Sequence, residues 1–279
     1  MLGKIVELVK QQKWVVTIYE ELWLFRCYVV AKFEYLKSIL YLSSEEKRKI
    51  QTLKGIHKGK RCFIVGTGPS LLLEDLELIK NEISFTVNSG CLAYEKTAWR
   101  ADYFVAMDGA AQIFFDKICE KNMPVCLVSR YINYKNNENV IKLPIDASMN
   151  FNIASWRSRV FPKLFPIGPF SGDLSKICYS GKTVIYSCIE IAAYMGFSEI
   201  VLLGVDCNYE NGKTHSEIMR YDIDEKGLQM VVNSSGQLMR IQLNSLAKSI
   251  SNKDFKVYNA SRGGKLECFE RRSLEDILR

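Results

Sequence analysis

The sequence predicts an α/β protein with a mostly parallel sheet covered by helices on both faces and an N-terminal helical arm. Two observations carry this prediction. From residue 60 onward, short apolar runs alternate with longer helical segments, which is typical of parallel strands joined by helices. The first run, Cys62 to Val65, leads directly into a glycine-containing turn and then a helix. That arrangement is found in Rossmann-like folds.

The apolar runs and helical stretches divide the chain from residue 60 onward. Predicted strands are Cys62 to Val65, Ser84 to Val87, Tyr103 to Ala106, Val125 to Val128, Ile200 to Leu203 and Lys256 to Tyr258. Predicted helices are Leu71 to Lys80, Ala110 to Lys121, Thr183 to Met195, Gly236 to Ser251 and Ser273 to Leu278. Residues 133–179 follow neither pattern, so we expect them to form an irregular insert on the substrate side.

Composition and length favour a globular protein. The chain has 279 residues, of which 48% are hydrophobic and 25% charged, so it buries a large core and is too apolar to be disordered. Its nine cysteines include no Cys-x-x-Cys pair, and most lie in apolar runs, as Cys62, Cys126 and Cys188 do. We therefore expect buried free thiols in a reducing compartment.

Residues 1–57 are predicted to form a basic helical arm and linker, and residues 58–279 the nucleotide-binding catalytic domain. Residues 1–60 hold twelve Lys or Arg against six acids, which accounts for +6 of the net charge of +7. The arm therefore suits peripheral contact with the inner membrane face through residues 1–42. Packing on its own domain or on a second subunit, in a homo-oligomer, is the alternative. No secretion signal or spanning segment is recognisable, so a cytoplasmic location is expected, and no nucleic-acid-binding motif is present.

The turn after the first strand reads IVGTGPS over residues 64–70. Gly66 and Gly68 would let the backbone approach a ligand while the free amides of the next helix face it, so the turn predicts an anion or nucleotide cradle. Leu71 interrupts the six-residue dinucleotide fingerprint. Ser70 has an alternative role as the N-cap of the helix.

Polar residues follow other predicted strands at the same edge of the sheet. Asn88 follows the second strand, Asp108 the third and Asp206 the strand that ends at Leu203. Open α/β sheets bind ligands at this edge, where the two acids would hold a metal, accept hydrogen bonds from a sugar or base, or cap a helix. Gly181 and Thr183 begin a helix whose amino end would face the same ligand.

One of the two histidines is a candidate for proton transfer. His215 lies in the loop that follows Asp206, and an imidazole titrates near neutral pH. An exposed loop position without chemistry is the alternative. His57 lies in the linker and is expected to be inert.

The motifs resemble one protein family. The GTGPSL turn at residues 66–71, TVN at residues 86–88 and MGFSEIVLLGVD at residues 195–206 are similar to the MptE-like domain. The closing segment VYNASRGGKLE at residues 257–267 resembles its bacterial surface-glycan members. The resemblance covers about residues 58 to 270. It implies either an ATP-dependent 6-hydroxymethylpterin diphosphokinase or a protein of surface-glycan assembly.

The same order of motifs is more distantly similar to bacterial sialyltransferases that use a CMP-sugar without a metal. That resemblance implies a nucleotide held by Gly66, Thr67, Gly68, Ser70 and Asn88, with its phosphates or sugar at Asp206, Asn208 and Tyr209. Two departures are visible: Thr67 replaces the usual Asn, and the general-base histidine of those enzymes lies further downstream than His215.

Three functions remain open on the sequence alone. The first is a transferase of nucleotide-activated sugar onto a glycan or lipid-linked acceptor, with His215 or Asp206 activating the acceptor hydroxyl and no cofactor. The second is the diphosphokinase, with Asp108 and Asp206 holding Mg²⁺ on ATP. The third is a nucleotide-binding protein without turnover, because histidines are few.

Overall fold

The computed structural model of the chain describes residues 13–40, 42–120, 124–135, 137–146, 168–181, 183–208, 215–219 and 236–279. The strands are β1 Arg61–Val65, β2 Ser84–Val87, β3 Tyr103–Ala106, β4 Val125–Val128, β5 Val140–Lys142, β6 Ile145–Asp146, β7 Cys178–Tyr179, β8 Glu199–Leu203, β9 Lys256–Asn259 and β10 Glu270–Arg271. The α-helices are α1 Lys13–Leu40, α2 Ser44–Thr52, α3 Leu73–Leu78, α4 Gln112–Cys119, α5 Val184–Tyr194, α6 Gly236–Ile250 and α7 Leu274–Leu278.

The main sheet confirms the predicted fold class. Its order is β10-β9-β8-β1-β2-β3-β4-β5, and every pairing in it is parallel. The chain moves outward from β1 in one direction through β5, then returns to the other side of β1 as β8. The order therefore reverses between β1 and β8, and open sheets of this kind bind ligands where the order reverses.

The sheet is covered on both faces, because successive residues of its central strands are buried on opposite sides. Cys62 and Ile64 of β1 belong to a core cluster that includes α5 and α6, whereas Phe63 and Val65 belong to a second cluster with α3, α4 and α7. Strands buried on both faces lack polar alternation. That burial explains why the predicted strands agree closely with those observed.

The insert predicted as irregular contains short strands that the sequence pattern does not reveal. The strand β5 extends the main sheet, while β6 and β7 form a separate two-stranded parallel sheet. Strands of two or three residues are too short for hydrophobic periodicity to identify. The rest of the insert, residues 147–167, lies outside the described residues.

The segment predicted as a linker is packed against the domain. The amide of Gly55 donates to the Tyr194 carbonyl over 3.0 Å and that of His57 to the Met195 carbonyl over 2.9 Å. The His57 ring stacks on Phe197 at 4.6 Å between centroids, and its Nε2 lies 2.7 Å from the Tyr103 hydroxyl. His57 thus joins elements at the amino-terminal edge of the sheet. The proposed domain boundary at residue 58 stays a prediction.

Helix α2 begins with a capping box, as the Ser-Ser-Glu-Glu sequence predicts. The Ser43 hydroxyl accepts from the Glu46 amide over 3.1 Å, and the Glu46 carboxylate accepts from the Ser43 amide over 2.8 Å. Leu42, Ile50 and Leu53 belong to the main core cluster. Among the described residues, no helix has the length and hydropathy needed to cross a membrane.

Candidate functional site

The loops that follow β1 and β8 are in direct contact. A Cβ atom added to Gly66 or Gly68 would lie 2.5 Å from the Gly204 carbonyl oxygen, and at Gly68 it would also lie 2.6 Å from Asp206 Oδ2. Real Cβ atoms do not approach so closely, so both positions require glycine. The two glycines therefore let β8's loop pack on the turn.

The turn does not present the free amides that the sequence suggested. The Gly66 amide donates to the Leu203 carbonyl and the Gly68 amide to the Gly204 carbonyl, each over 2.8 Å. Ser70 does not cap a helix, since α3 begins at Leu73. The amides of Gly66 and Gly68 thus join the two loops and do not face a ligand, while nucleotide binding by this turn stays a prediction.

The Asp206 side chain is buried and joins the loop after β8 to the loop after β1. One carboxylate oxygen accepts from the Ser70 amide over 2.8 Å, and the other accepts from the Ser70 hydroxyl. The Asp206 carbonyl accepts from the Lys265 amide over 2.8 Å, and Gly264 packs on the Asp206 backbone with a φ of +87°. Asp206 is only 4% exposed. This geometry suits a residue that positions the site better than one that receives the acceptor's proton.

Thr67 is the residue of the turn that is available to a ligand. It is half-buried, and within the ranges that the structure describes its amide and hydroxyl make no protein hydrogen bond. Its carbonyl accepts from the Ser216 amide over 2.8 Å. The turn therefore offers one backbone donor and one hydroxyl at the rim of the sheet.

Asn88 occupies the position after β2 that corresponds in strand register to Thr67 after β1. Val65 and Thr86 are the last register pair of β1 and β2, and Thr67 and Asn88 each lie two residues further along. Asn88 has a φ of +46°, a left-handed conformation that Asn tolerates at some cost. Its amide group makes no hydrogen bond to the described part of the protein. Together the two residues define a polar pair, which we call the β1 rim.

Two buried hydroxyls flank Asn88, and sequence reasoning missed them. Thr86 Oγ1 and Ser89 Oγ are fully buried and have no hydrogen-bond partner within the part of the chain that the structure describes. An unpaired buried hydroxyl costs about 1–3 kcal/mol, and a functional role is one explanation for keeping such a group. The run Thr86-Val87-Asn88-Ser89 was the available signal, since three of its four residues are polar at a strand end.

His215 is brought to the β1 rim by the residue that follows it. Ser216 donates its amide to the Thr67 carbonyl over 2.8 Å and its hydroxyl to the Leu71 carbonyl over 2.7 Å. Burial lowers the pKa of the half-buried His215 ring below its ordinary value of 6.5. A neutral imidazole is therefore favoured at pH 7, and the neutral form is the one that accepts a proton.

The loop after β8 also contacts α6. Cys207 has a φ of +48°, and its carbonyl accepts from Arg240 Nη1 over 2.7 Å. A Cβ atom at Gly236 would lie 2.1 Å from the same carbonyl. The described part of α6 begins at Gly236, and its contact with this loop was not foreseen. Asn208 follows Cys207 and is half-buried at the same edge; Tyr209 lies outside the described residues.

The remaining predicted residues have local structural roles. Asp108 is exposed and accepts from the Ala110 amide over 2.9 Å, which caps a short 3-10 helix. Thr183 caps α5 by accepting from the Ile185 amide over 3.3 Å, and Gly181 makes room for the Tyr186 ring. No contact joins these three residues to the β1 rim among the described residues.

Asp108 and Asp206 do not fit a shared Mg²⁺ site. They follow β3 and β8, which are separated by β1 and β2, so at strand spacing their backbones lie about 14 Å apart. Carboxylates bind Mg²⁺ at about 2.1 Å. The described residues also contain no group of three His, Cys, Asp or Glu side chains that would hold a metal. This separation does not favour the two-acid site, and the metal assignment made for the diphosphokinase stays a prediction.

The chain is similar to two solved structures. One is the MAf glycosyltransferase from Magnetospirillum magneticum AMB-1, with 17% identity and a TM-score of 0.44 over 83% of this chain. This chain spans only 38% of that protein. The other is the sialyltransferase CstII from Campylobacter jejuni in complex with cytidine-5'-monophosphate, with 15% identity, a TM-score of 0.37 and coverage of 76% of this chain and 87% of that one.

No curated protein sequence matches the chain. A family described as 6-hydroxymethylpterin diphosphokinase MptE-like matches residues 36–212, which is more than half of the chain. The match includes β1, β2 and β8 with the turns that follow them, and so the residues of the β1 rim together with Asp206. The chain belongs to the MptE-like family.

Proposed function

We propose that this protein is a transferase that uses a nucleotide-activated sugar, with a CMP-sugar as the first donor to test, in the assembly of a surface glycan. The observation that supports this proposal is the hydrogen bond from the Ser216 amide to the Thr67 carbonyl, which holds the residue after His215 against the turn, together with the strand register that puts Asn88 at the level of Thr67. A His215 ring whose pKa is lowered by burial and two polar groups that make no hydrogen bond among the described residues suit one site for a base and a nucleotide.

In the proposed reaction, the acceptor hydroxyl is the nucleophile. Its oxygen forms a bond to the anomeric carbon of the donor sugar while its proton passes to the imidazole of His215. The bond between the anomeric carbon and the phosphate oxygen breaks, and the nucleotide leaves with that electron pair. Thr67 and Asn88 would bind the nucleotide, and the Ser70–Asp206 pair would hold the turn in place. The acceptor would be a glycan or a lipid-linked glycan.

Ligand-dependent melting tests the donor class. CMP, UDP, GDP and ATP are added separately at saturation, each with a chelator and with Mg²⁺. A ligand at one hundred times its dissociation constant stabilises the fold by about 2.7 kcal/mol. We expect CMP to raise the melting temperature in chelator, and Thr67→Val and Asn88→Ala to reduce that shift. If none of the four nucleotides changes the melting temperature, the proposal is overturned.

The diphosphokinase is kept as a second candidate because the family description names that activity. It would bind ATP only with Mg²⁺, so stabilisation by ATP in Mg²⁺ and by no other nucleotide would favour it. Turnover separates either enzyme from a binding protein. Release of CMP from a CMP-sugar that is lost in His215→Ala supports the transferase, whereas CMP binding without any turnover supports the non-catalytic alternative.

A further inference from the structure

Helix α1 is held to the domain by one face. The ammonium group of Lys32 pairs with the carboxylate of Asp146, which is fully buried in β6. The Tyr35 hydroxyl donates to the Lys176 carbonyl over 2.9 Å. An ion pair with one buried partner is anchored more firmly than a surface pair, because loss of the lysine would leave a buried charge. These contacts fix which side of α1 faces the domain.

A different side of α1 carries a continuous row of exposed apolar side chains. Its members are between 48% and 81% exposed: Ile18, Leu22, Phe25, Val29, Phe33, Leu36 and Leu40. We call this row the α1 stripe. At 100° per residue, its centre lies about 90° around the helix from the face that carries Lys32 and Tyr35. The described part of the domain therefore leaves about half or more of each of these side chains exposed.

The spacing of the α1 stripe is regular. Its intervals are four, three and four residues, twice over, so the pattern repeats every eleven residues from Ile18 to Val29 and again from Val29 to Leu40. An eleven-residue repeat corresponds to about 3.67 residues per turn, close to the 3.6 of a straight helix. The stripe thus stays on one line along the helix and suits packing against another helix of similar length.

The sequence of the stripe is almost the same read in both directions. Val29 is the centre; Phe25 and Phe33 flank it at four residues, Leu22 and Leu36 at seven, and Ile18 and Leu40 at eleven. A two-fold axis through Val29 would place each residue opposite one of like size on a second, antiparallel copy. The small central side chain would allow the helices to approach closely at that axis.

The area of the stripe is sufficient for a stable pair. With roughly 100 Å² exposed on each of seven residues, a pair would bury on the order of 1,400 Å² in total, within the range of about 1,200 to 2,000 Å² for specific interfaces. An exposed apolar patch of several hundred Å² marks an interaction site in most soluble proteins.

Charge favours a second copy over a membrane surface. Helix α1 has four basic and three acidic residues, and one of the basic ones, Lys32, is already paired with Asp146. Most of the positive charge of residues 1–60 therefore lies outside α1. An interfacial helix on an anionic membrane normally has a strongly basic polar face, which α1 lacks.

We propose that the α1 stripe pairs with the α1 stripe of a second copy of this chain, antiparallel, about a two-fold axis at Val29. The interface is isologous, so it closes as a dimer and does not extend to a fibre. The inference does not depend on the proposed function. The second copy would cover the exposed apolar side of α1.

Analytical ultracentrifugation of the full chain and its variants tests the pairing. The wild-type chain is expected to sediment at twice its monomer mass at tens of micromolar. Leu22→Glu combined with Leu36→Glu places like charges opposite each other in any pairing of the stripes, and should weaken the dimer at least 100-fold. Leu22→Glu combined with Leu36→Lys places opposite charges together only in the antiparallel pair, and should restore the dimer. Leu78→Glu, at an exposed apolar residue of α3, is the matched control and should remain dimeric.

Each other outcome overturns the proposal. A wild-type monomer at tens of micromolar removes the second copy, and co-sedimentation of that monomer with phosphatidylserine vesicles would reassign the stripe to a membrane surface. A Glu/Lys variant as monomeric as the Glu/Glu variant removes the antiparallel arrangement. Leu22 and Leu36 are exposed and belong to neither core cluster of the described residues, so we expect the variants to fold. Circular dichroism and melting curves check this.

Discussion

Ser70 and Asp206 are joined by two hydrogen bonds, although 136 residues separate them in the chain. The Ser70 amide donates to Oδ2 of Asp206 over 2.8 Å, and the Ser70 hydroxyl donates to Oδ1. The pair connects the loop after β1 with the loop after β8, where the strand order reverses. Asp206 accepts no other side-chain donor among the described residues.

Replacement of Asp206 by Asn should destabilise the protein. The Asn side chain keeps one acceptor but places an NH₂ group against a Ser70 donor, so we expect a loss of about 1–3 kcal/mol. Urea unfolding measures it. Ser70→Ala removes only the hydroxyl bond and should cost about 0.5–1.5 kcal/mol. If Asp206→Asn left stability unchanged and abolished turnover, Asp206 would be the base and the positioning role would be wrong.

Asn88 allows its backbone and side-chain roles to be measured separately. Asn88→Gly keeps the left-handed conformation without strain, whereas Asn88→Ala places a methyl group there at a cost of about 1 kcal/mol. We expect Asn88→Gly to be the more stable variant, and both to bind nucleotide more weakly because both lose the amide group. Equal nucleotide binding by wild type and both variants would remove Asn88 from the site.

The pH dependence of turnover tests His215. Burial lowers its pKa, so the neutral base is lost only when the pH falls through a value below 6.5. We expect kcat/KM to be level near neutral pH and to decline on the acid side of that value. The variant His215→Gln should lose most activity, and its remaining activity should no longer decline at acid pH. If the same acid decline persists in His215→Gln, a group other than His215 causes it.

The buried carboxyl group of Glu190 is expected to make the free energy of unfolding depend on pH. Burial raises its pKa to about 8, while its carboxyl group accepts from the amides of Ser171 and Tyr179 over 2.6 and 2.7 Å. A raised acid pKa means that the folded state binds more protons than the unfolded one. Stability should therefore fall as pH rises between 4.5 and about 8.

The variant Glu190→Gln tests this dependence. Its amide nitrogen cannot accept from one of the two backbone amides, so it should be less stable than wild type by about 1–3 kcal/mol at acid pH. The difference in the free energy of unfolding between the two proteins should narrow as pH rises. Only the wild type has a carboxyl group at this position, and it loses stability as that group loses its proton. A difference that stays constant across this pH range would contradict the raised pKa.

The sequence predicts elements of this fold well where burial alone decides them. Strands such as Ser84–Val87 are buried along their whole length, and their predicted bounds agree with the structure. The two-residue strands β6 and β7 escape prediction because they depend on long-range contacts, including the pair of Lys32 with Asp146.

The contact between the two strand-end loops was predicted, but the hydrogen bonds that form it were not. Strand-end position indicated that Asp206 and the IVGTGPS turn would meet, and they do. That the turn's amides bond to Leu203, Gly204 and Asp206 follows only from tertiary hydrogen bonds, which no local pattern encodes. The polar run Thr86-Val87-Asn88-Ser89 indicated a polar strand end, but only the tertiary structure shows that the Thr86 and Ser89 hydroxyls lack partners among the described residues.

The amides of Gly66, Gly68 and Ser70 donate to other parts of the protein and not to a ligand. Since Gly66, Gly68 and Ser70 are fixed by bonds to the neighbouring loop, the turn is rigid before any small molecule arrives. The turn loses its conformational entropy when the protein folds, so binding a ligand does not require a second loss. The ligand therefore meets a preorganised surface, and rearrangement of this loop does not slow association.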